Sequence, residues 1–368
     1  MAAYGLSATD HVFGTISPKK RSSIRFLPRC RRKWAILIFT IFLYILLQHL
    51  PSAPQFGNDA RVNRPPPKYD VETTPRFLYH SPFRQSPNHT FESEVSNALL
   101  LIEKATLSLK GESIVAKQRI WQAGLGLKER SEDSRVFEHE NSDWEFQVVT
   151  DDWAVAFIRR TLTVVPCLWK LYTSYPYNVL RVDLLRYLLL WYYGGYYADM
   201  DVFPARSINS CPALQQHFSE EAGNVSLILG IEIDEPYASP RLMREWHWSR
   251  SYGFIQYTMR APRRFSPLLS EAIVRVLAHT KQHLEQSSMF HGPRYDETTI
   301  LEITGPGVFT DAILDHLSAT LPPTVLPVSV WGNGQRHSGA EGFDSTQACI
   351  NNRFGKSWKK GWWEYLFG

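Results

Sequence analysis

Along the chain, apolar residues recur with two spacings. From Thr90 to Leu109 they fall at Phe91, Val95, Ala98, Leu99, Ile102, Ala105 and Leu109, the three-to-four spacing that gives a helix one buried face. Ser113–Trp121 and Glu145–Val149 read instead as short strands. Thr150 or Asp151 then stands where an N-cap would open a helix near Trp153. Arg159–Tyr172 continues helical, with an interruption at Pro166. A long apolar helix pattern, Val179–Tyr193, is closed by Gly194-Gly195 and followed by an aromatic strand, Tyr196–Val202. The second half predicts strands at Ser226–Ile233 and Val325–Val330 and a short apolar stretch at Phe254–Met259. It also predicts an amphipathic helix at Pro267–Leu284, a glycine turn at Thr304–Val308 leading into a helix at Phe309–Leu317, and a glycine-rich loop at Gly332–Gly342. Strands alternating with helices in this way predict an α/β sheet fold.

The N-terminal pattern is different. Lys19, Lys20, Arg21, Arg25, Arg29, Arg31, Arg32 and Lys33 precede an uncharged apolar run, Trp34–Leu50. That run approaches the shortest length that crosses a bilayer, and its basic flank predicts a cytosolic N-terminus. It ends in Gln48-His49-Leu50-Pro51, with no small-residue cleavage site, which favours an uncleaved signal anchor. The expected organisation is a cytosolic basic tail at 1–33, a transmembrane anchor at 34–50, a proline-rich stem at 51–89 and a lumenal catalytic domain at 90–368. A short span suits the Golgi or early secretory pathway better than the plasma membrane.

Composition changes this picture little. A 44% hydrophobic share is ample for a core and excludes wholesale disorder. The formal net charge of +4, much of it in the basic tail, argues against nucleic acid as a partner. Cys167, Cys211 and Cys349 would be lumenal, allowing one disulfide and one free thiol with the pair left open. No Cys/His cluster has zinc spacing. Asn88-His89-Thr90 and Asn224-Val225-Ser226 match the N-glycosylation pattern.

The candidate chemistry lies around the Gly-Gly break. Asp183 and Arg186 sit in an apolar helix, where charges are costly unless paired or used. Three residues apart, they share a helical face, as an internal salt bridge or as groups facing a cleft. Asp199 and Asp201 are two apart, and on an extended strand both carboxylates point to one side, a compact site for a hard divalent cation. Such a cation would neutralise a diphosphate leaving group. Glu232 and Asp234 repeat the spacing at another strand end and are candidates for acceptor binding or for a nucleophile. Asn352, Ser357 and Trp358 in the tail are candidates to complete the site, and His337 in the glycine loop could meet phosphate or metal. Two-metal phosphoester cleavage would want more clustered acids and histidines.

The segment RVDLLRYLLLWYYGGYYADMDV resembles the signature of glycosyltransferase family 32, and QRIWQ, LGIEID, TGPGVFTDAI and FGKSWK follow that family's order from about Lys117 to the C-terminus. The resemblance implies a GT-A fold, a nucleotide-binding α/β domain with a mixed central sheet. It also implies retaining transfer of mannose from GDP-mannose, with Mn²⁺, to a mannose-containing glycan, in the manner of the fungal type II enzymes that start N-glycan outer chains with an α-1,6 linkage. By the family pattern Asp199 and Asp201 hold the metal and diphosphate, and Asp183 and Arg186 contact the donor sugar. Trp121 and Gln122 meet the nucleotide, and Gly195 precedes the DxD strand. Asn352 stands near the position where the family usually has His, and its amide oxygen can still ligate a metal. Retention needs no protein nucleophile if the departing phosphate assists attack from the same face. Other readings are a different donor or acceptor, such as UDP-galactose or inositol phosphoceramide, and an inactive scaffold subunit of a mannosyltransferase complex.

Overall fold

The computed structural model describes residues 81–126, 129–215, 217–218, 225–287, 292–317 and 321–353. The elements in chain order are α1 (His89–Leu107), β1 (Arg119–Ala123), α2 (Glu132–Glu140), β2 (Glu145–Val149), α3 (Asp151–Thr161), α4 (Leu168–Ser174), α5 (Asn178–Tyr193), β3 (Gly195–Ala198), β4 (Val202–Pro204), α6 (Pro212–Gln215), β5 (Ile228–Asp234), α7 (Pro240–Trp246), β6 (Tyr252–Phe254), β7 (Thr258–Ala261), α8 (Pro267–Gln286), α9 (Glu297–Ile303), α10 (Pro306–Asp315), β8 (Thr324–Leu326), α11 (Val328–Trp331) and β9 (Ile350–Asn352).

The expected α/β architecture with a mixed central sheet is present. Its strand order is β2-β1-β3-β7-β5-β6, with β8 added alongside β5. β1 pairs in parallel with both β2 and β3, whereas β7 runs antiparallel to β3. The chain leaves β1 to one side to make β2, then crosses to the other side to make β3. That reversal is a topological switch point, the place where open α/β sheets bind ligands, beyond the carboxyl ends of their strands. A small second sheet pairs β4 with β9, Val202 opposite Asn352.

The apolar face of α5 explains its central place. Leu180, Leu184, Leu185, Leu188, Leu189, Leu190 and Trp191 are all buried, in a cluster shared with α8 and the sheet. Gly194 and Gly195 turn the chain from α5 directly into β3, with φ of +67° and +97°, a backbone region that side chains rarely adopt. A Cβ on Gly195 would lie 2.5 Å from the Arg119 carbonyl oxygen, so close packing against β1 also requires glycine there.

Several boundaries differ from the sequence reading. The first strand is Arg119–Ala123 rather than Ser113–Trp121; Val115 makes only an isolated bridge to Arg263. Tyr196–Val202 is two strands, because Asp199-Met200-Asp201 forms a turn closed by Val202 N–H donating to Asp199 O at 3.2 Å. The same-side spacing of Glu232 and Asp234 is broken by a register shift between Ile231 and Ile233. Phe254–Met259 spans the ends of β6 and β7, and Val325–Val330 divides at Pro327 into β8 and α11. Arg159–Tyr172 falls across the separate helices α3 and α4, and Pro306 starts α10 three residues before Phe309. The basic tail, the anchor, nearly all of the stem, Asn224, Ser357 and Trp358 lie outside the described residues. Among the described residues no helix is long and apolar enough to cross a membrane.

Candidate active site

The carboxyl ends of β1, β2 and β3 bring Gln122, Thr150-Asp151 and Asp199 to one edge of the sheet. Thr150 caps α3, accepting from Trp153 N–H, while Asp151 Oδ2 accepts from Gly126 N–H at 2.7 Å. Asn178, at the start of α5, donates from Nδ2 to Leu125 O at 3.2 Å. The loop after β1 is thereby stitched to the amino ends of two helices. Gly124 lies so close to Met200 that a Cβ would sit 2.9 Å from its Cε.

The DxD turn itself is clamped by three separate segments. Gln122 Nε2 donates to Asp199 O at 3.3 Å, the Ser131 hydroxyl donates to Met200 O, and Arg353 N–H donates to Asp201 O at 3.2 Å. Ser131 is also the N-cap of α2, accepting from Ser134 N–H, and the Ser134 hydroxyl donates to Gln122 Oε1 at 2.5 Å. Asp199 N–H donates to Tyr257 O at 2.8 Å. With its backbone held from these sides, the turn presents its carboxylates in a fixed arrangement, the preorganisation that a binding site needs.

Arg186 is the cation beneath that turn. Its Nη2 lies 3.0 Å from Asp183 Oδ1 and 3.1 Å from Asp199 Oδ1, and its Nη1 donates to Gln256 O at 3.3 Å. Tyr197 OH donates to Asp199 Oδ1 at 2.8 Å. Asp183 is 2% exposed and is held from its other side by the Thr304 hydroxyl at 2.8 Å. Its two carboxylate oxygens therefore rest on Arg186 and Thr304. Burial pushes the Asp183 carboxyl up to about 6, against the lowering effects of Arg186 and Thr304. Burial, reinforced by neighbouring Asp201, pushes Asp199 up to about 7 despite Arg186. A carboxylate so destabilised in its charged form is one that an added cation would favour.

The other expected residues divide. Gln122 is fully buried and bound to the turn. Trp121 faces the opposite side of β1, in the core against Trp153 and Tyr193, where its indole N–H donates to Gly194 O at 3.0 Å. From there it braces the Gly-Gly turn. Glu232 belongs to the same electrostatic neighbourhood as the DxD: burial first, then Glu232, Asp201 and Asp199, hold the Tyr257 hydroxyl well above its usual pKa. Asp234 acts elsewhere, on Tyr252. Asn352 is buried opposite Val202, one residue past Asp201, so the tail strand does reach the DxD. A disulfide between Cys211 and Cys349 anchors that strand, leaving Cys167 as the free thiol among the described residues. His337 lies against Trp246 and Trp248 and contacts Ser338.

The donor set suits a hard divalent cation: two carboxylates and the oxygen of a buried amide. Among the described residues no three His, Cys, Asp or Glu side chains converge on one point, so a cation here would also draw on neutral oxygens and on the diphosphate it binds. The sequence reading missed Ser131, Ser134, Tyr197, Tyr257, Thr304 and Arg353 as supports of the site. Ser131 alone carried a local signal, standing as a cap before acidic Glu132 and Asp133.

Residues 130–218, from just before α2 to just past α6, match the family model described as the glycosyltransferase sugar-binding region containing the DXD motif. The chain is also similar to the initiation-specific alpha-1,6-mannosyltransferase of Candida albicans, with 27% identity over 219 residues, 57% of this chain and 55% of that one. The enzyme of the same name from Schizosaccharomyces pombe is 26% identical over 265 residues, 65% of this chain and 63% of that one. The chain thus spans little more than half the length of these relatives. Inositol phosphoceramide mannosyltransferase 3 of Schizosaccharomyces pombe is 40% identical over a shorter stretch of 67 residues, 18% of each chain. Within the matched residues, Asp199-Met200-Asp201 is the turn that Gln122, Ser131 and Arg353 hold.

Proposed function

We propose that this glycosyltransferase moves mannose from GDP-mannose to a mannose-containing glycan, with retention of configuration and with Mn²⁺ as its cation. The observation that carries the proposal is the clamped DxD turn at the switch point of the sheet, its first carboxylate seated on buried Arg186. Asp199 and Asp201 would hold the cation, with Asn352 as a neutral oxygen donor beside them. The bound cation supplies Lewis-acid neutralisation of the diphosphate as it departs. Arg186 orients Asp199, and Asp183, itself held by the Thr304 hydroxyl, keeps Arg186 in place. Gln122, Ser131 and Arg353 keep the turn from moving as the donor binds. Glu232, which acts on Tyr257 together with Asp201 and Asp199, would bind the acceptor hydroxyl, whose proton would pass to the departing phosphate oxygen in a same-face displacement. The α-1,6 linkage follows the relatives' printed activity. A type II Golgi location is the reading that the basic flank and apolar run at residues 19–50 support.

The similarity to an inositol phosphoceramide mannosyltransferase favours one second reading, a lipid-linked acceptor. A donor panel of GDP-mannose, UDP-galactose and UDP-glucose, crossed with mannose oligosaccharide and inositol phosphoceramide acceptors, tests both. Mn²⁺-dependent transfer from GDP-mannose to the oligosaccharide is expected. Transfer only to the lipid would select the second reading, and no donor cleavage at all would overturn the enzymatic one.

A further inference from the structure

We propose that Trp246, Trp248 and His337 form an acceptor subsite that grips a pyranose ring of the glycan, an inference that rests on the glycan-acceptor reading above. α7 ends at Trp246, and His247 caps it in the left-handed conformation, φ +58°, turning the chain so that Trp246 and Trp248 face each other. Their ring centroids are 5.6 Å apart at 35°. The glycine loop brings His337 edge-on to both, 5.5 Å from Trp246 and 4.7 Å from Trp248. All three rings are half-buried, and Tyr237, in the connection just before α7, is 46% exposed.

The loop is fixed in this position at a conformational cost. Ser338 adopts φ +59°, a strained region for a residue with a Cβ. It is held there by Ser338 N–H donating to Glu235 Oε1 at 2.6 Å and by Asp234 N–H donating to the Ser338 hydroxyl oxygen at 2.8 Å. Glu235 is itself buried, at 6% exposure. The loop is therefore locked to the carboxyl end of β5. The same strand carries Glu232, which shares the electrostatic neighbourhood of Asp199 and Asp201 around Tyr257. Three residues of strand separate Glu232 from Glu235, about 10 Å. The cluster is thus tied to the strand whose Glu232 acts, with Asp201 and Asp199, on Tyr257. The other end of the loop lies beside the tail strand, where Asn333 bridges to Asn351.

The chemistry matches a pyranose. A sugar ring offers an apolar C–H face and a polar rim. The two indoles offer broad apolar faces with N–H groups at their edges, and Glu235, Ser338 and His337 lie at the border.

The test separates acceptor from donor. Trp248→Ala and Trp246→Ala should each raise the acceptor KM for α-mannobiose or mannotriose about tenfold, with the rate of GDP release from GDP-mannose in the absence of acceptor unchanged. Trp248→Phe, which keeps an aromatic face, should fall between, and a thermal melt establishes that each variant is folded. In the wild-type protein, adding α-mannobiose should perturb tryptophan fluorescence, and Trp248→Ala should lose much of that response. An unchanged acceptor KM in folded Trp248→Ala, or no wild-type response to mannobiose, would overturn the subsite. If the wild type releases no GDP from GDP-mannose, the functional reading fails, and the fluorescence titration still decides whether the cluster binds sugar.

Discussion

Replacing Arg186 by Met isolates the ionic group on which the DxD turn rests. Arg186 has a side chain 4% exposed and bridges Asp183, 2% exposed, to Asp199, 25% exposed. Methionine fills similar apolar volume but removes the cation, leaving Asp183 with the Thr304 hydroxyl as its remaining close side-chain partner among those described. Removing one member of a buried ion pair costs about 3–5 kcal/mol, because the remaining charge keeps its desolvation penalty. Here the lower end applies. Asp183 sits at about 6 with Arg186 lowering it, so without Arg186 it rises further and is neutral at pH 7. The sign follows from linkage: a carboxyl raised above its unfolded value favours the folded state when protonated and loses that stability as pH rises through its folded pKa. The variant's penalty should therefore grow as pH increases from 6 to 8. About 3 kcal/mol in a domain of this size lowers Tm by roughly 10 °C. Asp183→Asn in the Arg186→Met background should recover much of the loss. Donor cleavage should stay abolished in the double variant, since Asp199 has lost the group that orients it. Thermal melts at pH 6, 7 and 8 with a GDP-release assay are sufficient. An Arg186→Met protein melting within about 2 °C of wild type, or cleaving donor normally, would refute this account of the triad.

Two further outcomes are expected. Closing a loop between Cys211 and Cys349, 138 residues apart, restricts the unfolded chain by about 5 kcal/mol, so Cys211→Ser/Cys349→Ser or a reductant should lower Tm strongly and also weaken Mn²⁺ binding, because Asn352 lies three residues from Cys349; a reductant-insensitive Tm would contradict the pairing. His279 is buried at 1% exposure, with Nδ1 on Glu302 O, and burial, with Arg84, Arg275 and Arg250 adding to it, lowers its pKa to about 3. The unfolded chain then takes up this proton first, so its stabilising contribution is complete above pH 6.5 and falls by about 2 kcal/mol at pH 5; His279→Phe should flatten the Tm profile between pH 7.5 and 5, and identical slopes would exclude this group as the cause.

The helix, the Gly-Gly break and the strand after it were legible because local rules decide them. An unbroken apolar helix face, two glycines with positive φ and an aromatic strand leave little choice. The extent of that strand was not legible. Spacing alone put Asp199 and Asp201 on one extended face, whereas the turn they occupy is held by carbonyl contacts from Gln122, Ser131 and Arg353, residues 69 to 152 positions away. Asp183 and Arg186 were legible as a pair, but that Asp183 also rests on Thr304 follows from a distant helix turn. Trp121 and Gln122 show how alternation along one strand separates a core residue from a site residue. Pro327 was a local signal against a continuous Val325–Val330 strand, outweighed by the β-branched valines around it. The disulfide pair depends on β4 meeting β9, a long-range pairing that no spacing announces.

The central claim is that the clamped DxD turn binds a cation and a mannosyl nucleotide. Its most direct test is GDP release from GDP-mannose by the wild type and by Asp201→Ala, with and without Mn²⁺. Asp201 accepts its clamping bond through the backbone carbonyl, so removing the side chain leaves that bond in place. The account predicts Mn²⁺-dependent release by the wild type and none by a folded Asp201→Ala protein with a near-wild-type Tm. Release by Asp201→Ala at the wild-type rate, or wild-type release indifferent to divalent cations, would contradict it.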